Sequence, residues 1–328
     1  MKTSEYVFAS VFADEITAHL ALRKSQGRQV HREKYIFLML DQYLQSKCAV
    51  EKALSPALVE GWLLSLPEGM HVNTKIVYIS HYTQFAKYLH TLGFAAFIPE
   101  RPRDDRQYAP YIFSPLEMER IFVAADSRVL SNCTPDKTAG LHFPLILRLL
   151  YGCGLRLNEA LRLRCGDVDL NGGVLLIHNA KGDKDRLIPM DLSLTEILRK
   201  YFTVAGKGEA PQDLFFENRK GEQRSEAWAS TWFQWCLKAA GIAKPDLPRY
   251  SRNICLHCLR HTFAVDSLRK QDLADVDMYD AAPLLSTYLG HKNFHGTQRY
   301  IHLSEQNSAD IVAKNSAYTM DLFPEVPL

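Results

Sequence analysis

Between residues 255 and 261 the chain reads Cys-Leu-His-Cys-Leu-Arg-His, a stretch dense in side chains that ligate metals, move protons or bind anions. Cys255 and Cys258 have a zinc-like spacing, and His257 and His261 lie beside them. A structural zinc site needs a second ligand pair at a fixed distance, and the sequence offers none. Buried thiols explain the two cysteines better. Spacings of three and four put His257, Arg260 and His261 on one face of a helix, while Leu256, Leu259 and Phe263 form a separate apolar stripe for the core. Two imidazoles and a guanidinium displayed together suit an anionic oxygen cluster such as a phosphate. A surface helix with incidental polar residues has the same pattern. Arg156 follows the glycine turn Gly152-Cys153-Gly154 and precedes a helix that buries Leu157 and Leu161. Unpaired amides at such a helix start favour an anion; an ion pair from Arg156 to Glu159 is the plain alternative. The same turn opens like a dinucleotide-binding loop, but Leu157 stands where its third glycine belongs and no strand precedes it. Tyr300 has no special character by itself.

The elements that must position these residues can be read along the chain. A length of 328 residues with 47% hydrophobic and 23% charged side chains describes a soluble globular protein of about two domains. No apolar run approaches the roughly 20 residues that cross a bilayer. The apolar stretch from Tyr6 to Ala13 lies between Glu5 and Asp14, without the cationic lead-in or length of a signal peptide. A cytoplasmic protein with no membrane contact is expected. Seven scattered cysteines argue against a secreted disulfide framework. The net charge of +2 says little about partners, but Arg219 to Lys270 holds ten Lys and Arg against four acids, a local basic stretch.

The first hundred residues read as about four helices. Ile36, Met39, Leu40, Tyr43 and Leu44 fall at helical spacing, as do Ile79, Tyr82, Phe85, Leu89 and Leu92, with Gly93 at a C-cap position. Ser55-Pro56 starts a helix running through Trp62 and Leu64. Two prolines and dense charge from Ile98 to Arg106 mark a linker. Ser114 and Glu117 then form a capping box. Pro144 to Tyr151 reads as a buried helix, and another begins near Asn158. Val174 to His178 and Arg186 to Met190 read as a β-hairpin with Lys181 at its tip, and helices return from about Leu194. The expected fold is mostly α with a small β-sheet (α+β), divided into residues 1–106 and 107–328.

Five blocks in order bring these residues together: Gly154 to Leu161, Lys181 to Arg186, His257 to His261, Leu289-Gly290-His291, and Tyr300. In this order, with His291 nine residues before Tyr300, the sequence resembles the tyrosine recombinase (phage integrase) family over about Ser114 to Ser304. The resemblance implies an N-terminal SAM-like, core-binding bundle that clamps DNA and a C-terminal catalytic domain. It casts Tyr300 as the nucleophile that makes a 3′-phosphotyrosine, which conserves the phosphodiester energy without ATP. Arg156 and Arg260 clamp the non-bridging oxygens, and Lys181, with Lys184 as rival on the same turn, protonates the leaving 5′-oxygen. His257 accepts the tyrosine proton, His291 donates to the phosphate, and Glu159 and His261 support. No cofactor and no metal is implied.

The implied partners are double-stranded DNA, a homo-tetramer on two DNA sites, and accessory DNA-bending or directionality proteins. The implied role is site-specific recombination for a phage or mobile element, with a C-terminal tail from Ser304 that docks on a neighbouring subunit. A type IB topoisomerase-like enzyme and a catalytically silent DNA-binding protein on the same scaffold are the competing readings. One departure from the family pattern is Gln271 to Pro283, a longer and more acidic connector read as a surface insertion.

Overall fold

The computed structural model describes residues 6–103, 110–130, 137–180, 184–205, 210–242, 254–291, 294 and 296–304. These residues form two compact units, one up to 103 and one from 110 onward. The boundary expected at 106 falls outside the described residues. Most of the structure is helical, with one small sheet. Among the described residues no helix is long and apolar enough to cross a membrane.

The first unit is built from α1 (Ala13–Ser25), α2 (His31–Ser46), α3 (Pro56–Leu64) and α4 (Val72–Thr91). The periodic residues close its core: Ile36, Leu40 and Leu44 pack with Phe12, Trp62, Tyr82, Phe85 and Leu89. Met39 and Tyr43 lie at the margin of that core. Ser55 caps α3 by accepting from the Leu58 amide, with Pro56 filling the first position, where no donor is needed. Leu92 is half exposed because α4 ends before it, and Gly93 follows with φ +84°. Glu33 takes an Arg23 ion pair at 2.8 Å and a contact to His81 at 3.1 Å, so its buried charge is matched.

The second unit runs through α5 (Pro115–Leu130), α6 (Lys137–Gly152), α7 (Leu157–Leu161), strands β1 (Val168–Asp169), β2 (Val174–Ala180) and β3 (Lys184–Pro189), then α8 (Leu192–Val204), α9 (Glu226–Ala239), α10 (His257–Asp272) and α11 (Met278–Leu289). A further helical stretch covers 296–304. The expected Ser114–Glu117 box forms: Glu117 Oε2 accepts from the Ser114 amide at 2.8 Å and Ser114 Oγ accepts from the Glu117 amide. The sheet is antiparallel in the order β1-β2-β3. Leu175, Ile177 and Ile188 point into the core, as period-2 alternation requires, while Leu187 faces solvent. Two-residue β1 had no legible signal, because so short a strand carries no alternation. The pairing is in register from Val174↔Pro189 to Ile177↔Arg186, then shifts before Ala180↔Lys184, a bulge of the kind that re-aims a hairpin tip.

The acidic connector turns out to be mostly helix ends. Asp272 closes α10, Asp277 caps α11 by accepting from the Tyr279 amide at 2.7 Å, and Asp280 lies in the first turn of α11. The carboxylates of Asp277 and Asp280 complement the positive end of the α11 dipole, whereas Asp272 stands at the negative end of α10. Only 273–277 is a connector between the two helices. The C-terminal tail after Ser304 lies outside the described residues.

Candidate active site

The site is assembled where the start of α7, the start of α10, the end of α11 and the stretch 296–304 meet. Arg260, on the first turn of α10, is 1% exposed. The sequence placed it on a displayed face, but the turn at Gly154 and the end of α11 cover that face. Its guanidinium donates to the Gly154 carbonyl at 2.6 Å and the Leu289 carbonyl at 2.5 Å. Both acceptors exist because the chain turns there. Gly154 has φ +59°, and a Cβ on it would come within 2.4 Å of the Phe263 ring. Gly290 ends α11 in the left-handed region at φ +65°, a conformation in which side chains with a Cβ are strained.

Arg156 is the N-cap residue of α7. Its amide donates to Glu159 Oε2 at 2.8 Å, its guanidinium to Glu159 Oε1 at 2.8 Å and to the Gly290 carbonyl at 3.2 Å. The ion pair that competed with an anion-binding role is therefore present, and it also holds the guanidinium against the end of α11. Arg186, which no sequence feature singled out, grips the same carboxylate with both terminal nitrogens at 3.0 and 2.8 Å. Arg260 approaches Glu159 to 4.0 Å. Glu159 is thus the shared counter-ion of three arginines. Burial alone would raise its pKa, but hydrogen bonds from Arg186 and the Arg156 amide, with the nearby charges, bring it down to about 2. Arg260 is pulled down to about 10 by burial first and then by Arg156, so it stays a cation at neutral pH.

Tyr300 is 3% exposed, and its hydroxyl lies 2.8 Å from His261 Nδ1. The tyrosine is raised above its ordinary pKa by burial, against the opposing pull of Arg260, Arg299 and Arg156. His261 is lowered to about 3 by burial, then by His257 and Arg260, so its ring is neutral. His257 stands edge-on to His261, ring centres 4.6 Å apart. It lies at the exposed rim, where surrounding protein and then Arg260 and Arg156 still depress its pKa. His291 stacks on Tyr300 at 6.2 Å between ring centres, and its Nδ1 is 2.7 Å from Thr297 Oγ1. Tyr300, Arg156, Arg260, His257, His291, Glu159 and His261 therefore gather in one place. Lys181 lies outside the described residues, as does the side chain of Lys184. Beside Arg156 and Glu159 opens a groove of about 610 Å³, also lined by Arg162, Arg164, His178 and Gln223. Among the described residues, no three His, Cys, Asp or Glu side chains converge as a metal site requires.

A cation pair beside a buried tyrosine whose hydroxyl touches an imidazole is equipped to hold a phosphodiester and deliver a phenolic oxygen to it. Comparison with known proteins gives this chemistry a family. Residues 113–307 match the model of the phage integrase family. The chain belongs to that family. It is therefore a tyrosine recombinase, an enzyme that cuts and rejoins DNA strands in site-specific recombination. The chain is 30% identical to a tyrosine recombinase of Thermosipho africanus, over 80% of this chain and 81% of that one. It is 27% identical to tyrosine recombinase XerD of Pseudomonas putida, over 85% and 94%. Other curated relatives match over about half of their own length. In fold, this recombinase is similar to XerH bound to palindromic difH substrate (TM-score 0.63, 20% identity, 85% and 77% covered) and to a lambda integrase dimer on a core site (0.62, 15%, 88% and 94%).

Proposed function

We propose that this recombinase cuts one strand of double-stranded DNA by attack of Tyr300 on the scissile phosphodiester, leaving a 3′-phosphotyrosine and a 5′-hydroxyl. The observation that carries the reading is the Tyr300 hydroxyl held 2.8 Å from His261 Nδ1, one residue along α10 from the buried Arg260. Arg260 and Arg156 take the two non-bridging oxygens, and their fixed charge stabilises the pentacoordinate state, an effect for which one donor is typically worth about 10²–10³-fold in rate. His291 adds a hydrogen bond to the same oxygens. As the phenolic oxygen bonds to phosphorus, its proton passes to His261 Nδ1. The bond from phosphorus to the 5′-oxygen breaks, and Lys181 supplies that oxygen with a proton. Burial first, then His257 and Arg260, hold His261 low; the negative charge of the bound phosphate offsets the neighbouring cations and raises the imidazole's basicity when it is needed. In this reading His257, the acceptor the family resemblance implies, takes a place beside His261, ring centres 4.6 Å apart. A new 5′-hydroxyl reverses the step, and the energy of the broken ester stays in the phosphotyrosine.

The partners in this reading are a DNA duplex, three further copies of the chain on two recombination sites, and accessory DNA-bending or directionality proteins; the sites belong to a phage or other mobile element. The DNA-bound relatives support the duplex as partner, and the lambda and transposon integrases among them support a mobile element. The test is covalent trapping on nicked duplexes carrying the ends of the protein's own element, without metal or ATP. A denaturation-resistant protein–DNA band lost in Tyr300→Phe is expected. A duplex that binds tightly but gives no band overturns the mechanism in favour of a silent DNA-binding scaffold. Strand exchange between two duplexes separates recombination from topoisomerase-like relaxation.

A further inference from the structure

The recombinase mechanism leaves unused the two thiols that sit directly against its catalytic helix. Cys255 and Cys258 flank the start of α10, with Sγ atoms 4.0 Å apart and Cys255 exposed to solvent while Cys258 is 1% exposed. The Cys258 amide donates to the Cys255 carbonyl at 2.9 Å, closing a tight turn. Turns of this kind bring their end Cα atoms within roughly 7 Å, and a disulfide needs Cα atoms about 4.4–6.8 Å apart. A turn of this kind is compatible with a disulfide, and closing the sulfurs from 4.0 Å to the roughly 2.05 Å of a bond draws Cys255 and the outer half of the turn toward Cys258. The two residues between them are Leu256 and His257.

From this geometry we infer that Cys255 and Cys258 are a reversible dithiol–disulfide site, and that closing it slows DNA cleavage by displacing His257. The oxidant is a low-molecular-weight disulfide of the glutathione class. The exposed Cys255 thiolate attacks one sulfur of that disulfide, forming a mixed disulfide and releasing one thiolate. Cys258 then loses its proton and attacks the Cys255 sulfur, and the second small thiolate leaves. In sum, two protein thiols and one small disulfide give one protein disulfide and two small thiols. Cys255 is the entry point because Cys258 is held protonated, by its hydrogen bond with Cys255 and then by burial. Cys258 is also fixed among core side chains, so the approach of the sulfurs falls on the outer half of the turn. His257 is carried on that half, beside the ring that holds Tyr300.

The regulatory half of this inference rests on the proposed cleavage mechanism, whereas the disulfide itself does not. The intact protein is equilibrated with graded ratios of oxidised to reduced glutathione, quenched with an alkylating agent and mapped by mass spectrometry. The exposed Cys48 serves as an internal reference for simple glutathione addition. A Cys255–Cys258 disulfide that forms before Cys48 is half modified is the expected result. Cleavage of a nicked duplex falls about tenfold or more in the oxidised protein, because a shift of His257 disturbs the His261 ring packed edge-on against it, and with it the contact to Tyr300. It returns with dithiothreitol, and Cys255→Ser is indifferent to the glutathione ratio. A dithiol that persists after Cys48 is fully modified overturns the site. A disulfide that leaves the cleavage rate unchanged overturns the regulation. Protein that binds the duplex but cleaves it in neither redox state counts against the cleavage mechanism, while the mass map still decides the disulfide.

Discussion

Glu159 decides how Arg156, Arg186 and Arg260 can share so small a space, and the cost of its removal depends on pH. The carboxylate's side chain is 9% exposed and pairs with Arg156 and Arg186 at 2.8 Å. Glu159→Gln leaves three guanidinium groups without their common anion, and breaking a buried pair of this kind costs about 3 kcal/mol. Because the folded pKa of about 2 lies below the ordinary 4.5, that stabilisation is complete above pH 4.5 and fades as pH falls toward 2. Urea midpoints should place the variant well below the wild type at pH 7, with the gap narrowing from pH 4.5 to 3. His261 acts in a different window. Its folded value of about 3 lies below the ordinary 6.5, so the unfolded chain takes up the proton first, and stability declines as pH drops from 6.5. Between pH 6.5 and 4.5 the wild type should lose more stability than His261→Asn, measured by the same midpoints; equal losses would remove the buried neutral imidazole from the description. Neither the Arg186 grip nor the Tyr300–His261 contact was legible in the sequence. Arg186 sits in an ordinary strand pattern, and its partner Glu159 is 27 positions away. The resemblance named both histidines, but the choice between His257 and His261 turns on how 296–304 packs against α10.

At the scale of elements, local chemistry was legible wherever a cap or a period set it. Ser55, Ser114, the helical stripes of α2 and α4 and the β2–β3 hairpin all follow from neighbours within a few residues. The depth of Arg260 does not, because the carbonyls that receive it lie 106 and 29 residues away. The hairpin shows how an element can matter more than its stability suggests. His178 bridges Asp167 at 3.0 Å and Asp185 at 3.0 Å, at the point where the β2–β3 register shifts. It thereby ties β2 to β3 and to the turn before β1, next to the register shift. Exposed pairs contribute no more than about 1 kcal/mol, so His178→Ala should lower Tm by only a few degrees. If the hairpin carries the proton donor for the 5′-oxygen, cleavage should nevertheless fall about tenfold. A substrate with sulfur in place of the bridging 5′-oxygen tests this, because a thiolate leaves without being protonated. Full rescue of the variant on that substrate is expected; a defect of equal size on both substrates would reduce His178 to a structural role.

The whole molecule carries a net charge of only +2, so DNA affinity must come from how its charge is distributed over two units, each with its own apolar core. Binding that neutralises phosphates releases counterions, and the logarithm of affinity falls with the logarithm of salt at about 0.9 per phosphate contacted on duplex DNA. If the first unit clamps the duplex, as the family resemblance implies, severing it from the second should lower both the affinity and that slope. The sequence marks where to cut: Arg103 and Arg106 lie in the charged, proline-bearing segment between the two units, and Pro102 shields Arg101 from trypsin. Brief trypsin treatment should cleave after Arg103 or Arg106 before it cleaves inside either core, identified by fragment mass. The C-terminal fragment, from residue 104 or 107 onward, should then bind a duplex site more weakly than the intact chain, with a salt slope smaller by several contacts. An unchanged slope would place all the phosphate contacts on the second unit and leave the first with a role other than clamping. A drop in affinity without a change in slope would mean that the first unit contributes contacts to bases or shape rather than charge.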